Sequence, residues 1–217
     1  KWAPSHHFST RLSIGKGYRT NHVMAEYNYL LASSRQIIVD DNLDQEEAWN
    51  YGLSAALSIP IGEKRLDLSA EYYYTTFLHQ MLVDMDSNPH AVHFTNLVGD
   101  SYSHTWQAEA SYEFFDGFKL TATYRRTNVK STYGGILREK PLTNKYKGLI
   151  TAQYKPCLGK WQFDATLQLN GGGRMPDPYT TADGTPSWDA HYKGFEQLNA
   201  QVTRFFRYWS IYAGGEN

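Results

Sequence analysis

Seven side chains able to ligate a metal or haem iron crowd one stretch: His79, Met81, Asp84, Met85, Asp86, His90 and His93. Imidazole and thioether groups suit soft metals and haem. Their spacing is not that of any metal site, and a strand–turn–strand pattern accounts for most of them, so no metal and no cofactor is expected. Gly171-Gly172-Gly173 and Gly15-Lys16-Gly17 have the composition of phosphate-cradling loops. Neither is followed by Lys-Ser/Thr and neither opens a helix, so the expectation for both is a loop that needs positive φ. Asp67 with Glu71, and Glu109 with Glu113, offer paired carboxylates, but on a strand these are same-face neighbours. No Ser/His/Asp arrangement has supporting context, and no enzymatic activity is expected. Cys157 is the single cysteine, which excludes an internal disulfide; a structural role in its turn is expected. His6-His7 reads as incidental.

What must position these residues is a series of strands. Trp161–Asn170 is the plainest: Trp161, Phe163, Ala165, Leu167 and Leu169 alternate with Gln162, Asp164, Thr166, Gln168 and Asn170. Period-two alternation over ten residues requires a strand with two different faces. Similar segments are expected at 8–15, 47–59, 65–82, 101–115, 118–130, 147–154 and 194–206, with a last one opening at Tyr208. A short helical turn is expected within Met24–Ser33. The turns at 60–63, 116–117, 156–159 and near 207 are short, with Asp116-Gly117 a two-residue hairpin signal. The connections at 18–44, 83–100, 131–146 and 171–193 are long, and short and long alternate along the chain.

Net charge is −1, so there is no basic field for nucleic acid, and no nucleic-acid partner is expected. Mean hydropathy is −0.58, and no run approaches the roughly 18–20 apolar residues of a membrane helix. A transmembrane β-barrel stays compatible with that value, because its strands are only half apolar. Neither end carries a leader or a terminating element, so a fragment of a longer protein is expected. Aromatic residues crowd the short-turn ends, where an interfacial girdle would sit: Tyr112, Phe114, Phe115, Phe118, Tyr154, Trp161, Phe163, Phe205, Phe206, Tyr208 and Trp209.

The expected fold is therefore all-β: an antiparallel transmembrane β-barrel with short periplasmic turns and long extracellular loops, of which the chain supplies about nine strands. Its apolar face would meet outer-membrane lipid. Its lumen-facing residues would include Arg11, Asp67, Glu71, Gln107, Glu109, Thr121, Thr123, Arg125, Asp164, Gln168, Gln197 and Gln201. Two other readings compete. An outer-membrane barrel enzyme would close at about 8–12 strands, and a soluble carbohydrate-binding β-sandwich would bury the apolar face.

Several stretches resemble the TonB-dependent outer-membrane receptors, especially those of Bacteroidetes. They are Arg11-Leu-Ser-Ile-Gly-Lys-Gly-Tyr-Arg-Thr20, Ala25-Glu26, Leu31-Ala-Ser-Ser-Arg35, Glu47-Ala-Trp-Asn-Tyr-Gly52, Val83-Asp84 with Phe94-Thr-Asn-Leu97, Lys140-Pro-Leu142 and Trp209-Ser-Ile-Tyr-Ala-Gly-Gly-Glu-Asn217. The resemblance covers essentially the whole chain. It implies that residues 1–217 are part of a single barrel of about 22 strands, the plug domain and the remaining strands lying outside. It implies a Gram-negative outer-membrane location, contact with TonB through the N-terminal part outside this chain, and energised uptake of a scarce small molecule. That ligand would be an iron–siderophore, haem, cobalamin or a glycan. For such a transporter Arg19, Arg35, Arg125, Tyr133 and Arg174 are the candidate ligand contacts, as long polar or aromatic groups near the outer ends.

Overall fold

The computed structural model describes residues 1–156 and 159–217, so Cys157 and its expected turn role lie outside the described residues. In chain order the elements begin with β1 (Trp2–Ser5), β2 (Phe8–Arg19), a helical turn α1 (Val23–Glu26), a 3-10 turn (Asn28–Ser33) and β3 (Gln36–Val39). Then come β4 (Glu46–Ile61), β5 (Lys64–His79), β6 (Met81–Asp84), β7 (Ala91–Asn96), β8 (Ser101–Phe115) and β9 (Phe118–Tyr133). The remainder are β10 (Ile136–Glu139), β11 (Tyr146–Tyr154), β12 (Trp161–Asn170), β13 (Gly173–Arg174), β14 (His191–Tyr192), β15 (Phe195–Phe205) and β16 (Ser210–Glu216).

Among the described residues one antiparallel sheet dominates, in the order β1-β2-β4-β5-β8-β9-β11-β12-β15-β16 with β10 paired to β9. Each strand pairs with the next long strand in sequence, the up-and-down order that alternating short and long connections demand. The sheet is open. β8 and β12 fall on the expected boundaries, and the 3-10 turn falls within Met24–Ser33, with α1 beginning one residue before it.

Directly opposed residues of an antiparallel pair point to the same side of the sheet. The register therefore sorts the faces. One row runs Leu57–Leu68–Ala110–Ala122–Ile150–Leu167–Leu198. Another, on the opposite face, runs Arg11–Ser54–Glu71–Gln107–Arg125–Lys147. The apolar face has no second layer packed on it: Leu12 is 70% exposed, Trp106 58% and Leu198 55%. Among the described residues a buried hydrophobic core exists only at the long-loop end.

Several boundaries differ from expectation. β2 runs straight through Gly15 and Gly17 to Arg19, these glycines facing Asn50 and Ala48; they are strand residues, not a loop of positive φ. The strand expected through Leu82 stops at His79, and Met81–Asp84 leaves the wall for another sheet. Gln80 makes the break: its carbonyl accepts from Leu97 N–H, and its Oε1 accepts from Ser101 Oγ at 2.6 Å. The connections expected at 83–100 and 131–146 are not plain loops, since they contain β7 and β10. His6-His7 forms the turn of a β1–β2 hairpin, and His7 O accepts from Ser58 N–H. The last strand opens at Ser210, because Phe206 and Trp209 stack at 4.1 Å across the preceding turn.

Candidate functional site

All the residues expected to face a lumen lie on one side of the sheet, and they bond to one another across strands. Thr123 Oγ1 donates to Glu109 Oε2 at 2.9 Å, and Arg125 Nε to Gln107 Oε1 at 2.9 Å. Asp164 accepts from Gln153 and Gln162, and Asp67 accepts from Ser58 Oγ at 2.6 Å. Glu71 shares the Arg11 row, while Gln168 and Gln197 face each other, as do Asp164 and Gln201. Thr121 pairs with Ser111 on this face.

At the long-loop end this polar face is roofed. β3 pairs in parallel with β7, which pairs antiparallel with β6, giving a small second sheet. Its apolar residues pack with the 3-10 turn into a compact core of Leu30, Met81, Val83, Met85, Val92 and Phe94. Tyr27 meets Phe94 edge-on at 5.4 Å, and burial pushes the Tyr27 phenol above its ordinary range. Two of the seven potential ligand residues of this stretch, Met81 and Met85, are thus core side chains. Glu46, on the polar face, accepts from Met81 N–H at 3.2 Å and joins roof to wall.

Carboxylates hold the roof's edges. Asp84 accepts from Ser87 Oγ and from the N–H groups of Asp86 and Ser87. Burial raises the Asp84 carboxyl, but those hydrogen bonds outweigh it and leave the group below its ordinary value. Asp40, bonded to Thr95 and to His93 at 2.7 Å, is lowered as well. A depressed carboxylate stabilises the folded form above its unfolded pKa and ceases to do so as pH falls through the folded one. The roof is therefore expected to loosen below about pH 4, where unfolded Asp protonates. Hydrogen exchange of residues 81–96 at pH 6 and pH 3 checks this, with faster opening at pH 3 the expected result.

The five candidate ligand contacts separate. Arg19 is tied to Glu46 through Nε and Nη2, both at 2.7 Å, and to Glu26 at 3.1 Å. Arg35, in the first long connection, lies over the Trp188 ring at 5.9 Å, and that ring meets Tyr179 edge-on. Arg125 stands on the open polar face. Tyr133 and Arg174 come together: Tyr133 is buried, its phenol pushed up by burial, and the Arg174 guanidinium lies over its ring at 5.7 Å. Arg174 also pairs with Asp86.

Sequence reading missed Glu46, Arg138 and Lys140 as interior groups. Burial lowers the Lys140 ammonium from its ordinary value, partly offset by Glu46. Nothing local marks any of them; each acquires its environment from loops far away in the chain. Gly171, Gly172 and Gly173 also differ from expectation, since none has positive φ. A Cβ on each would lie 2.5 Å from the Tyr146 ring, 2.3 Å from Tyr192 O and 2.3 Å from Thr143 O respectively. Close packing of three backbones under the roof, not a turn, requires glycine there.

A sheet with an unpacked apolar face, a hydrogen-bonded polar face and long connections folded over one end of that polar face is the wall of a membrane-spanning β-barrel with a structured outer mouth. The family described as "TonB dependent receptor-like, beta-barrel" matches residues 1–217, and the chain belongs to that family. It is accordingly an outer-membrane barrel chain of the Gram-negative type. Comparison with curated proteins matches nothing. Among solved structures the chain is similar to the copper transporter OprC, with 16% identity and a TM-score of 0.69 over 98% of this chain and 31% of that one. It is also similar to the ferric citrate transporter FecA in its unliganded form, with 16% identity and a TM-score of 0.66 over 100% and 32%. The FrpB iron transporter from Neisseria meningitidis (F3-3 variant) gives 14% identity and a TM-score of 0.63 over 94% and 31%. At such identities the likeness shows the fold. The chain spans about a third of the length of these structures.

Proposed function

We propose that residues 1–217 form part of a single barrel domain of a TonB-dependent transporter, which takes up a scarce small molecule across the outer membrane. The ligand is an iron–siderophore, haem, cobalamin or a glycan. The plug and the segment that engages TonB belong to the protein outside this chain. The observation that carries this reading is the roofed polar face: a polar wall capped at one end by a folded loop sheet is a mouth built to receive a solute. Outer-membrane lipid covers the opposite, apolar face.

Within this reading Arg35 and Arg125 contact the ligand, one at the rim and one on the open wall. Arg19, Tyr133 and Arg174 are committed to internal bonds and hold the surrounding loops in place. The test deletes the gene and grows the strain with each candidate nutrient as sole source of iron, cobalamin or carbon. Growth on one of them is expected to fail and to return with the intact protein; growth on all of them overturns the reading. With that nutrient, Arg125→Ala is expected to reduce uptake by about tenfold, the worth of one hydrogen bond to a charged group. Unchanged uptake removes Arg125 from the contacts.

A further inference from the structure

Three of the long connections meet at one ion cluster. Arg174, at the start of the fourth, donates through Nη1 to Asp86 Oδ1 at 3.0 Å and through Nη2 to Oδ2 at 2.8 Å. Its Nε donates to Glu139 O, in the third connection, at 2.7 Å. Asp86, in the second, also accepts from Asp177 N–H at 2.9 Å. Arg138 bridges Asp177 Oδ2 at 2.5 Å and approaches Asp86 Oδ2 at 3.8 Å. The Asp86 side chain is 6% exposed and that of Arg174 11%.

Two guanidinium groups face two carboxylates, so the cluster is neutral. Taking such ions out of water offsets most of their attraction, so the cluster contributes little to stability. What it imposes is geometry. The planar fork of Arg174 meets both oxygens of Asp86 and a carbonyl of another loop at once, which fixes the three loops relative to one another. If the second or the fourth connection leaves alone it abandons a buried charge, and if the third leaves, Arg174 Nε loses its acceptor.

We propose that Asp86 and Arg174 form an interloop clamp, supported by Arg138 and Asp177, which makes the second, third and fourth outer connections open and close as one body. Access to the polar face is then governed by the clamp and not by each loop separately. This holds whatever ligand enters, so its test does not depend on uptake.

The experiment measures amide hydrogen exchange on the intact protein in lipid nanodiscs, in three windows: residues 85–90, 134–145 and 171–178. Asp86→Ala and Arg174→Ala are each expected to speed exchange by about tenfold or more in all three windows together, since exchange reports the open population. Arg174→Lys keeps the charge but loses the fork, and is expected to fall between native and Ala. The β8–β9 strands serve as an internal control and are expected to stay protected. If the alanine variants fail to assemble, Arg174→Lys and Asp177→Asn decide, each expected to loosen all three windows to a smaller extent. Loosening confined to the window that carries the substitution, or none, overturns the proposal.

Discussion

Ile150→Arg is expected to destabilise the barrel wall by about 2–4 kcal/mol, while Leu149→Arg, one residue earlier, is expected to change it by about 1 kcal/mol or less. The two side chains have similar exposure, 39% and 38%, and similar size. They differ in face. Ile150 is the central residue of β11 and lies in the row Ala122–Ile150–Leu167, which has no layer packed over it. Leu149 lies between Thr123 and Gln168 on the polar side. A guanidinium at the midplane of hydrocarbon loses its hydration with no partner to replace it, whereas among amides and hydroxyls it keeps hydrogen bonds. At about 1.4 kcal/mol per decade, a difference of about 1 kcal/mol or more is roughly fivefold or more in the folded ratio. Urea unfolding of the protein in phospholipid vesicles measures it. Equal shifts for the two variants would sink the assignment of faces, and with it the barrel.

The wall was legible because its signal is local and repeated. In β12 ten residues alternate without a break, and Asp116-Gly117 announces its own turn. The roof was not legible, for equally physical reasons. β6 and β3 are four residues each, too short to show a period, and only Gln80 separates β6 from β5, so that the two read as one strand. The pairing that makes β3 a strand is parallel, Gln36 opposite Ala91, and nothing near either residue encodes it. The glycines show the same limit from another side. Gly171–Gly173 read as a turn because glycine most often signals positive φ, yet each is required by a backbone or ring brought in from elsewhere. The site divides likewise. Arg125 could be placed on the polar face from alternation alone. Arg174 could be placed near the mouth, but its partner Asp86 lies in another connection, and an ion pair between distant loops leaves no trace in local spacing.

The roof also changes what the polar residues can do. On an open wall Arg19 and Tyr133 would face solvent and any incoming solute. With the loops folded over this end, Arg19 stays 54% exposed but is tied to Glu46, which in turn accepts from Met81 N–H, and Tyr133 is buried against Arg174. Long polar side chains near this barrel mouth are thus divided by the loops into those left on the open wall and those that hold the mouth in shape, a division that cannot be read from residue type.

At the opposite end, Gly117→Ala is expected to cost about 3 kcal/mol or more, placing it among the severe single substitutions. Two effects add. Gly117 has φ of +81°, where a β-carbon costs about 1–2 kcal/mol. That β-carbon would also lie 1.9 Å from Lys155 O in the neighbouring turn. The neighbour cannot simply yield, because Lys155 N–H donates to Gly117 O at 2.7 Å and the two turns share a backbone hydrogen bond. Nor can Gly117 move freely, since its N–H donates to Glu113 Oε1 at 2.9 Å and Lys64 ties Glu113 to Asp116. Gly62, in the hairpin between β4 and β5, is the matched control: φ is +62° and nothing lies within 4 Å of an added Cβ. Gly62→Ala is therefore expected to cost only the conformational part, about 1–2 kcal/mol. Urea midpoints of the two variants in the same vesicles separate the effects. If they shift equally, the contact with Lys155 is not what makes glycine obligatory at 117, and the two turns are not held as one.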